Sequence, residues 1–95
     1  MPFWFIAAAT ASPLQVGVTG AADAKAIHVL FGDAGETVAS CLPTPKGWYC
    51  GSVDVTRPSP VAVIVDTALV PVGSIEENGS ALTLIYDQGA FEPLW

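Results

Sequence analysis

Few side chains in this chain of 95 residues could do chemistry. There are two cysteines, Cys41 and Cys50, and one histidine, His28. The cysteines bracket the stretch Cys41-Leu-Pro-Thr-Pro-Lys-Gly-Trp-Tyr-Cys50, which reads as a tight hairpin with a cysteine on each arm. Directly opposed positions on antiparallel strands bring Cβ atoms to about 4.5–5.5 Å, and a disulfide needs roughly 3.5–4.5 Å. A modest local twist closes that gap. Sealing a loop of about ten residues would stabilise the fold by roughly 2.5–3 kcal/mol in the chain-entropy model, and it implies an oxidising setting at some stage. The competing reading is a pair of buried thiols acting as small hydrophobes. A zinc site would need four ligands where two cysteines and one histidine are present. The Cys-x-x-Cys spacing of a redox pair is missing.

His28 could in principle act as a general base, but no serine or cysteine near it in sequence completes a motif. No Gly-x-Ser-x-Gly elbow occurs, and no glycine-rich loop precedes a helix. The acids Asp23, Asp33, Glu36, Asp54, Asp66, Glu76, Glu77, Asp87 and Glu92 fall mostly at expected turns. No Asp-x-Asp-x-Asp run gathers them for calcium, so they read as solvated charges. Asn78-Gly79-Ser80 fits the glycosylation triplet, but a tight Asn-Gly turn explains it equally. The expectation is a protein without catalytic residues, metal or cofactor.

Composition narrows the partners. Charged residues make up 13% of the chain against 52% hydrophobic, and the net charge is −6. The charged fraction is about half the usual value, so the polar surface is thin for a free monomer. Lys25, Lys46 and Arg57 are too few and too scattered to follow a phosphate backbone or an anionic membrane. No run is long enough for a membrane-spanning helix. The opening segment has small residues around Ala9 and Ala11 that would suit cleavage. It lacks a basic n-region, and its apolar run is short, so a cleaved leader is not expected.

The elements that must position these residues are strands. Residues 14–18 alternate. Residues 25–31 alternate more strongly, with Ile27, Val29 and Phe31 on one face and Ala26, His28 and Leu30 on the other. Gly32–Glu36 reads as a hairpin loop and residues 37–41 as its return strand. Residues 48–55 leave the cysteine hairpin. Pro58 and Pro60 mark a break. The almost wholly apolar run 61–66 suits a central strand. Residues 68–75, interrupted by Pro71, suit an edge or bulged strand. Residues 76–79 carry a hairpin signal, and residues 80–86 form the last clear strand. About seven short strands with regular turns, and no helical period, predict an all-β fold: a small antiparallel β-sandwich or small barrel. The expected organisation is an apolar docking arm over 1–13 ended by Pro13, a β-domain over 14–86, and a tail over 87–95.

Two groups of aromatic residues remain. Trp48 and Tyr49 are strand neighbours and must face opposite sides, one into the core and one outward as a possible ligand or partner surface. Phe3, Trp4, Phe5 and Ile6 open the chain, and Phe91, Leu94 and Trp95 close it. Apolar ends need a surface to bury against, and burying one large side chain contributes about 2 kcal/mol. A domain this small has little surface for two such tails, so other subunits, copies of the chain included, are the expected recipients. The strand pattern and apolar tails together resemble small immunoglobulin-like β-sandwiches of the decoration, cement or connector proteins of phage and virus particles. That resemblance implies a non-enzymatic assembly protein of a virion. The rival expectation is a secreted or periplasmic β-sandwich module that binds carbohydrate or protein through Trp48, Tyr49 and loops such as Gly32–Glu36.

Overall fold

Alternating apolar residues bury one face of each strand, and two such faces closing on each other make the molecule. The computed structural model describes residues 11–76 and 79–95. They form nine strands: β1 (Ala11–Thr19), β2 (Ile27–Phe31), β3 (Thr37–Ser40), β4 (Leu42–Thr44), β5 (Gly47–Thr56), β6 (Ser59–Val65), β7 (Ala68–Ile75), β8 (Ala81–Asp87) and β9 (Ala90–Leu94). A five-stranded sheet, ordered β4-β5-β1-β8-β9, faces a four-stranded sheet, ordered β3-β2-β6-β7. The fold is an all-β sandwich with open edges rather than a closed barrel, and no helix occurs among the described residues.

After β1 the chain is a series of antiparallel hairpins dealt alternately to the two sheets. β2–β3 and β6–β7 form the four-stranded sheet, joined directly by β2 against β6. β4–β5 and β8–β9 belong to the five-stranded sheet and do not touch in its ladder. β1 lies between them, antiparallel to β5 and parallel to β8. The core is built from both inner faces. Leu14, Val16 and Val18 of β1 and Leu82 and Leu84 of β8 meet Ile27, Val29 and Phe31 of β2 and Val61 and Val63 of β6, all buried.

Several sequence expectations are corrected here. Pro13 does not end an arm; it pairs with Asp54 inside β1. The amide of Gln15 donates to the Ser80 carbonyl on the β8 side. Residues two apart point their amides the same way, so the Pro13 nitrogen faces a stretch where β8 has not yet begun. No ladder bond is lost. Residues 87–95 are not a tail, because β9 pairs with β8 from Thr83↔Leu94 to Asp87↔Ala90. Phe91, expected on that tail as a partner contact, is 5% exposed and packs on Tyr86 with ring centroids 4.9 Å apart. It belongs to the chain's own core. The Asn78-Gly79 signal does not close a hairpin, since β7 and β8 lie in different sheets. Residues 1–10 of the expected arm, with Phe3, Trp4, Phe5 and Ile6, lie outside the described residues.

Other expectations hold for stated reasons. β7 is an edge strand, and its register slips beside Pro71. β6 is central, and Pro60 stands near its start, with its carbonyl accepting from Gly32 beyond the end of β2. The core makes a direct prediction. Leu14 is 0% exposed on the strand that links both hairpins of its sheet. Leu14→Ala should lower the unfolding free energy by about 2–5 kcal/mol, and Leu69→Ala on the outer surface by about 0.5 kcal/mol or less. Urea titrations of both variants measure this.

Candidate functional site

The cysteine stretch folds locally as expected and globally as something more. Thr44 pairs with Gly47 across a turn made by Pro45 and Lys46. The Thr44 hydroxyl donates to the Gly47 carbonyl at 3.0 Å and accepts from the Lys46 amide at 3.3 Å. Cys41 and Cys50 are joined by a disulfide, and both are buried. The strand run from Thr37 to Thr44 breaks at Cys41, where it leaves one sheet for the other. The Cys41 amide still donates to Ile27 of the four-stranded sheet at 2.9 Å. Its sulfur is bonded to Cys50 on β5 of the five-stranded sheet. The bridge therefore pins a corner between sheets as well as a hairpin.

The β5 ladder carries a second irregularity at the same place. The register with β1 slips so that Val16 faces Gly51 and Gly17 faces Tyr49, leaving Cys50 as the extra residue of a bulge. Gly51 takes φ 79°, which a residue without Cβ adopts at little cost. The slip changes the phase of the strand. Trp48 and Cys50 point inward before it, and Val53 and Val55 pack inward after it. Trp48 is 7% exposed, and its indole nitrogen donates to the Ala21 carbonyl at 3.3 Å. Tyr49 is 52% exposed. Of the two aromatic neighbours, Tyr49 is thus the one on the surface.

Tyr49 stands in an in-register row across the outer face of the five-stranded sheet: Leu42, Tyr49, Gly17, Thr83 and Leu94. Gly17 has no side chain, so a trough runs between Tyr49 and Thr83. Leu42 and Leu94 are exposed at the ends of the row. Trp95 follows, with its ring over Gly79 and the Arg57 guanidinium 5.9 Å from the ring centroid. Arg57 also donates to the Gly79 carbonyl at 2.8 Å. Leu94 and Trp95 keep substantial exposure, whereas Phe91 does not.

The outer face of the four-stranded sheet also gathers apolar side chains. One row across it reads Val38, Leu30, Ala62, Pro71. The next reads Ser40, His28, Ile64, Leu69. Neither row contains an acid, a lysine or an arginine, in a chain of net charge −6. Val38 is 49% and Leu69 61% exposed. At one end a groove of about 450 Å³ opens among Leu30, Ala62, Leu69, Pro71 and the Gly32–Gly35 loop. Sequence reading missed this face, because each strand gives it only one or two residues and register alone gathers them.

Chemistry-bearing side chains are mostly occupied in turns. His28 Nδ1 lies 3.0 Å from the Ser40 hydroxyl across the β2–β3 pair. No motif supplies the remaining parts of a nucleophilic site around them. Asp66 accepts from the Lys25 and Ala26 amides at 2.7 and 3.1 Å, which ties the β6–β7 turn to the entry of β2. The Glu36 carboxylate accepts from Ala34 at 3.0 Å and lies over Gly32. Ser59, 3% exposed, accepts from Gly32 at 2.9 Å and donates to Pro60 at 3.0 Å. No group of three or more His, Cys, Asp or Glu among the described residues could hold a metal ion.

The corner disulfide is directly testable. Without reductant neither cysteine should alkylate, and the intact mass should rise on reduction. Replacing both cysteines with alanine should cost about 3 kcal/mol of stability, read as a lower urea midpoint that reductant no longer changes. In comparisons with known proteins, no family model, no curated protein and no solved structure matches the chain.

Proposed function

We propose that this chain is a non-enzymatic structural subunit that docks on neighbouring protein subunits of a large assembly, of the kind that decorates, cements or connects the shell of a virus particle. The observation that carries the reading is the pair of uncharged rows on the outer face of the four-stranded sheet. Exposed apolar side chains such as Val38 and Leu69, set among neighbours without acid, lysine or arginine, are of the kind that mark an interaction site. The sheet edges point the same way. Pro43 stands in β4, Pro71 in β7 and Pro93 in β9, while β3 is four residues long. Prolines and short strands discourage edge-to-edge pairing, which leaves faces and chain ends as the docking elements. A rigid two-sheet body with a disulfide at one corner suits a subunit that must hold its shape in a shell outside the cell.

The experiment is to express the chain where its assembly forms and separate the products by sucrose gradient. Tagged chain should co-sediment with a particle of many copies and leave it when Val38 and Leu69 are replaced by lysine. A chain that stays at monomer mass in that setting would overturn the reading.

A second reading, an extracellular module binding carbohydrate or protein, draws on Tyr49 beside the Gly17 trough. An exposed ring next to a trough that Gln15 and Thr83 also line can stack on a sugar face. Under that reading the monomer binds a glycan, and Tyr49→Ala weakens binding about tenfold or more. A flat glycan array removes it.

A further inference from the structure

We propose that the trough over Gly17, on the outer face of the five-stranded sheet, is a saccharide site that seats two adjacent sugar rings, the one beside Lys46 carrying an anionic group. It rests on the second reading above and names the class of sugar.

The argument begins with a glycine that the backbone does not need. Gly17 stands inside β1, where glycine weakens a strand. It does not take a positive φ. The bulge opposite it draws its left-handed residue from Gly51 on β5. A Cβ on Gly17 would meet the Trp48 carbonyl oxygen at 3.4 Å, an ordinary contact. Neither conformation nor crowding therefore explains the missing side chain. Its effect is to leave a floor of bare backbone between Tyr49 and Thr83, its partners on either side. Once bulges and bends are set aside, a glycine inside a strand marks the close approach of a ligand or another backbone.

The trough has two halves of different chemistry. Gly17, Tyr49 and Thr83 line both. One half, of about 180 Å³, adds Gln15 and no charged side chain. The other, of about 250 Å³, adds Thr19, Lys46 and the backbone of Gly47, a second glycine on the floor. Each half is smaller than the roughly 300–1,000 Å³ of a site for a drug-sized ligand, and each suits a single ring. Tyr49, 52% exposed, stands at the boundary of the two and offers a flat apolar face with a hydroxyl at its tip. Gln15 and Thr83 bring amide and hydroxyl groups that pair with sugar hydroxyls in the uncharged half. The Thr44 hydroxyl is already engaged by Gly47 and Lys46, which leaves Thr19 to supply the hydroxyl of the other half.

Charge selects the sugar. The chain has three basic residues against nine acids. One of the three, Lys46, lines the trough, and no acid lines either half. Asp87 on β8 and Glu92 on β9 stand two and three strand spacings from β5, about 10 and 14 Å. Asp54 lies toward the far end of β5. A lone ammonium over a floor of backbone favours an anion at that end of the site, and the half beside Gln15 has no such preference. A glycan whose rings alternate between neutral and anionic matches both halves at once.

Nuclear magnetic resonance titration of the purified full chain at low ionic strength tests this with three tetrasaccharides. Chitotetraose is neutral. Hyaluronan tetrasaccharide carries a carboxylate on alternate rings. Keratan sulfate tetrasaccharide carries sulfate instead. At least one anionic tetrasaccharide should bind about threefold or more tighter than chitotetraose, the scale of one exposed ion pair, and the tighter of the two identifies the anion as carboxylate or sulfate. The amide shifts should centre on Gly17, Lys46 and Thr83. Lys46→Gln should remove the preference and leave chitotetraose binding unchanged. Gly17→Ala, which fills the floor, should weaken every sugar, and Tyr49→Ala should do so about tenfold. Thermal unfolding of each variant confirms an intact body. Chitotetraose binding as tightly as both anionic sugars would overturn the proposal and leave the glycan-binding reading standing. Shifts centred elsewhere, or full-strength binding by Gly17→Ala, would overturn it as well. So would the absence of binding by all three sugars, and a flat glycan array would then remove the broader reading with it.

Discussion

The double pairing of β1 is the constraint on which the rest depends. The hairpins β4–β5 and β8–β9 share no ladder bond, and only β1 joins them into one sheet, antiparallel to β5 and parallel to β8. Its inward residues Leu14, Val16 and Val18 are also at the centre of the core. A strand that supplies backbone bonds on both sides and three buried side chains fixes where every other element of its sheet can lie. The opposite sheet has no such dependence, since its two hairpins meet directly through β2 and β6.

The disulfide acts on the same problem from the other side. Alternating hairpins require the chain to pass between sheets repeatedly, and each passage is a place where the two layers could part. At Cys41 the passage is held by a covalent bond to β5 and a hydrogen bond to β2. The bulge at Cys50 lets Trp48 and Val55 both face inward on one strand. The Trp48 indole then draws in the loop at Ala21. A corner, a strand phase and a loop are thereby fixed by neighbouring residues, which explains why the sequence concentrates proline, glycine, cysteine and tryptophan there.

What these constraints leave exposed is as informative as what they bury. The edges are blunted by proline or are short, and the outer face of the five-stranded sheet mixes apolar positions with the acids Asp54 and Glu92. Two full rows across the outer face of the four-stranded sheet hold no acid, lysine or arginine. In a chain with so few charged residues, exposed apolar side chains remain on both outer faces, Val38 and Leu69 on one and Leu42, Tyr49 and Leu94 on the other. The proposed assembly function draws on those exposed faces.

The sequence by itself determined the class of fold and most strands, and it set the two cysteines on opposite arms of one hairpin. These depend on local rules: period-two alternation buries Ile27, Val29 and Phe31 whatever strand lies beside them, and a short proline turn brings Cys41 and Cys50 opposite each other. It also required one of Trp48 and Tyr49 to face inward. The tertiary structure alone decided which one. It also decided that β1 runs parallel to β8, that β7 and β8 lie in different sheets, and that Phe91 is core rather than contact. The physical reason is that sheet membership and register are chosen by the joint burial of residues far apart in the chain. A turn signal or an aromatic residue reads the same whichever sheet receives it. The uncharged face is the clearest case: Val38, Leu30, Ala62 and Pro71 become one surface only when three separate ladders fall into register.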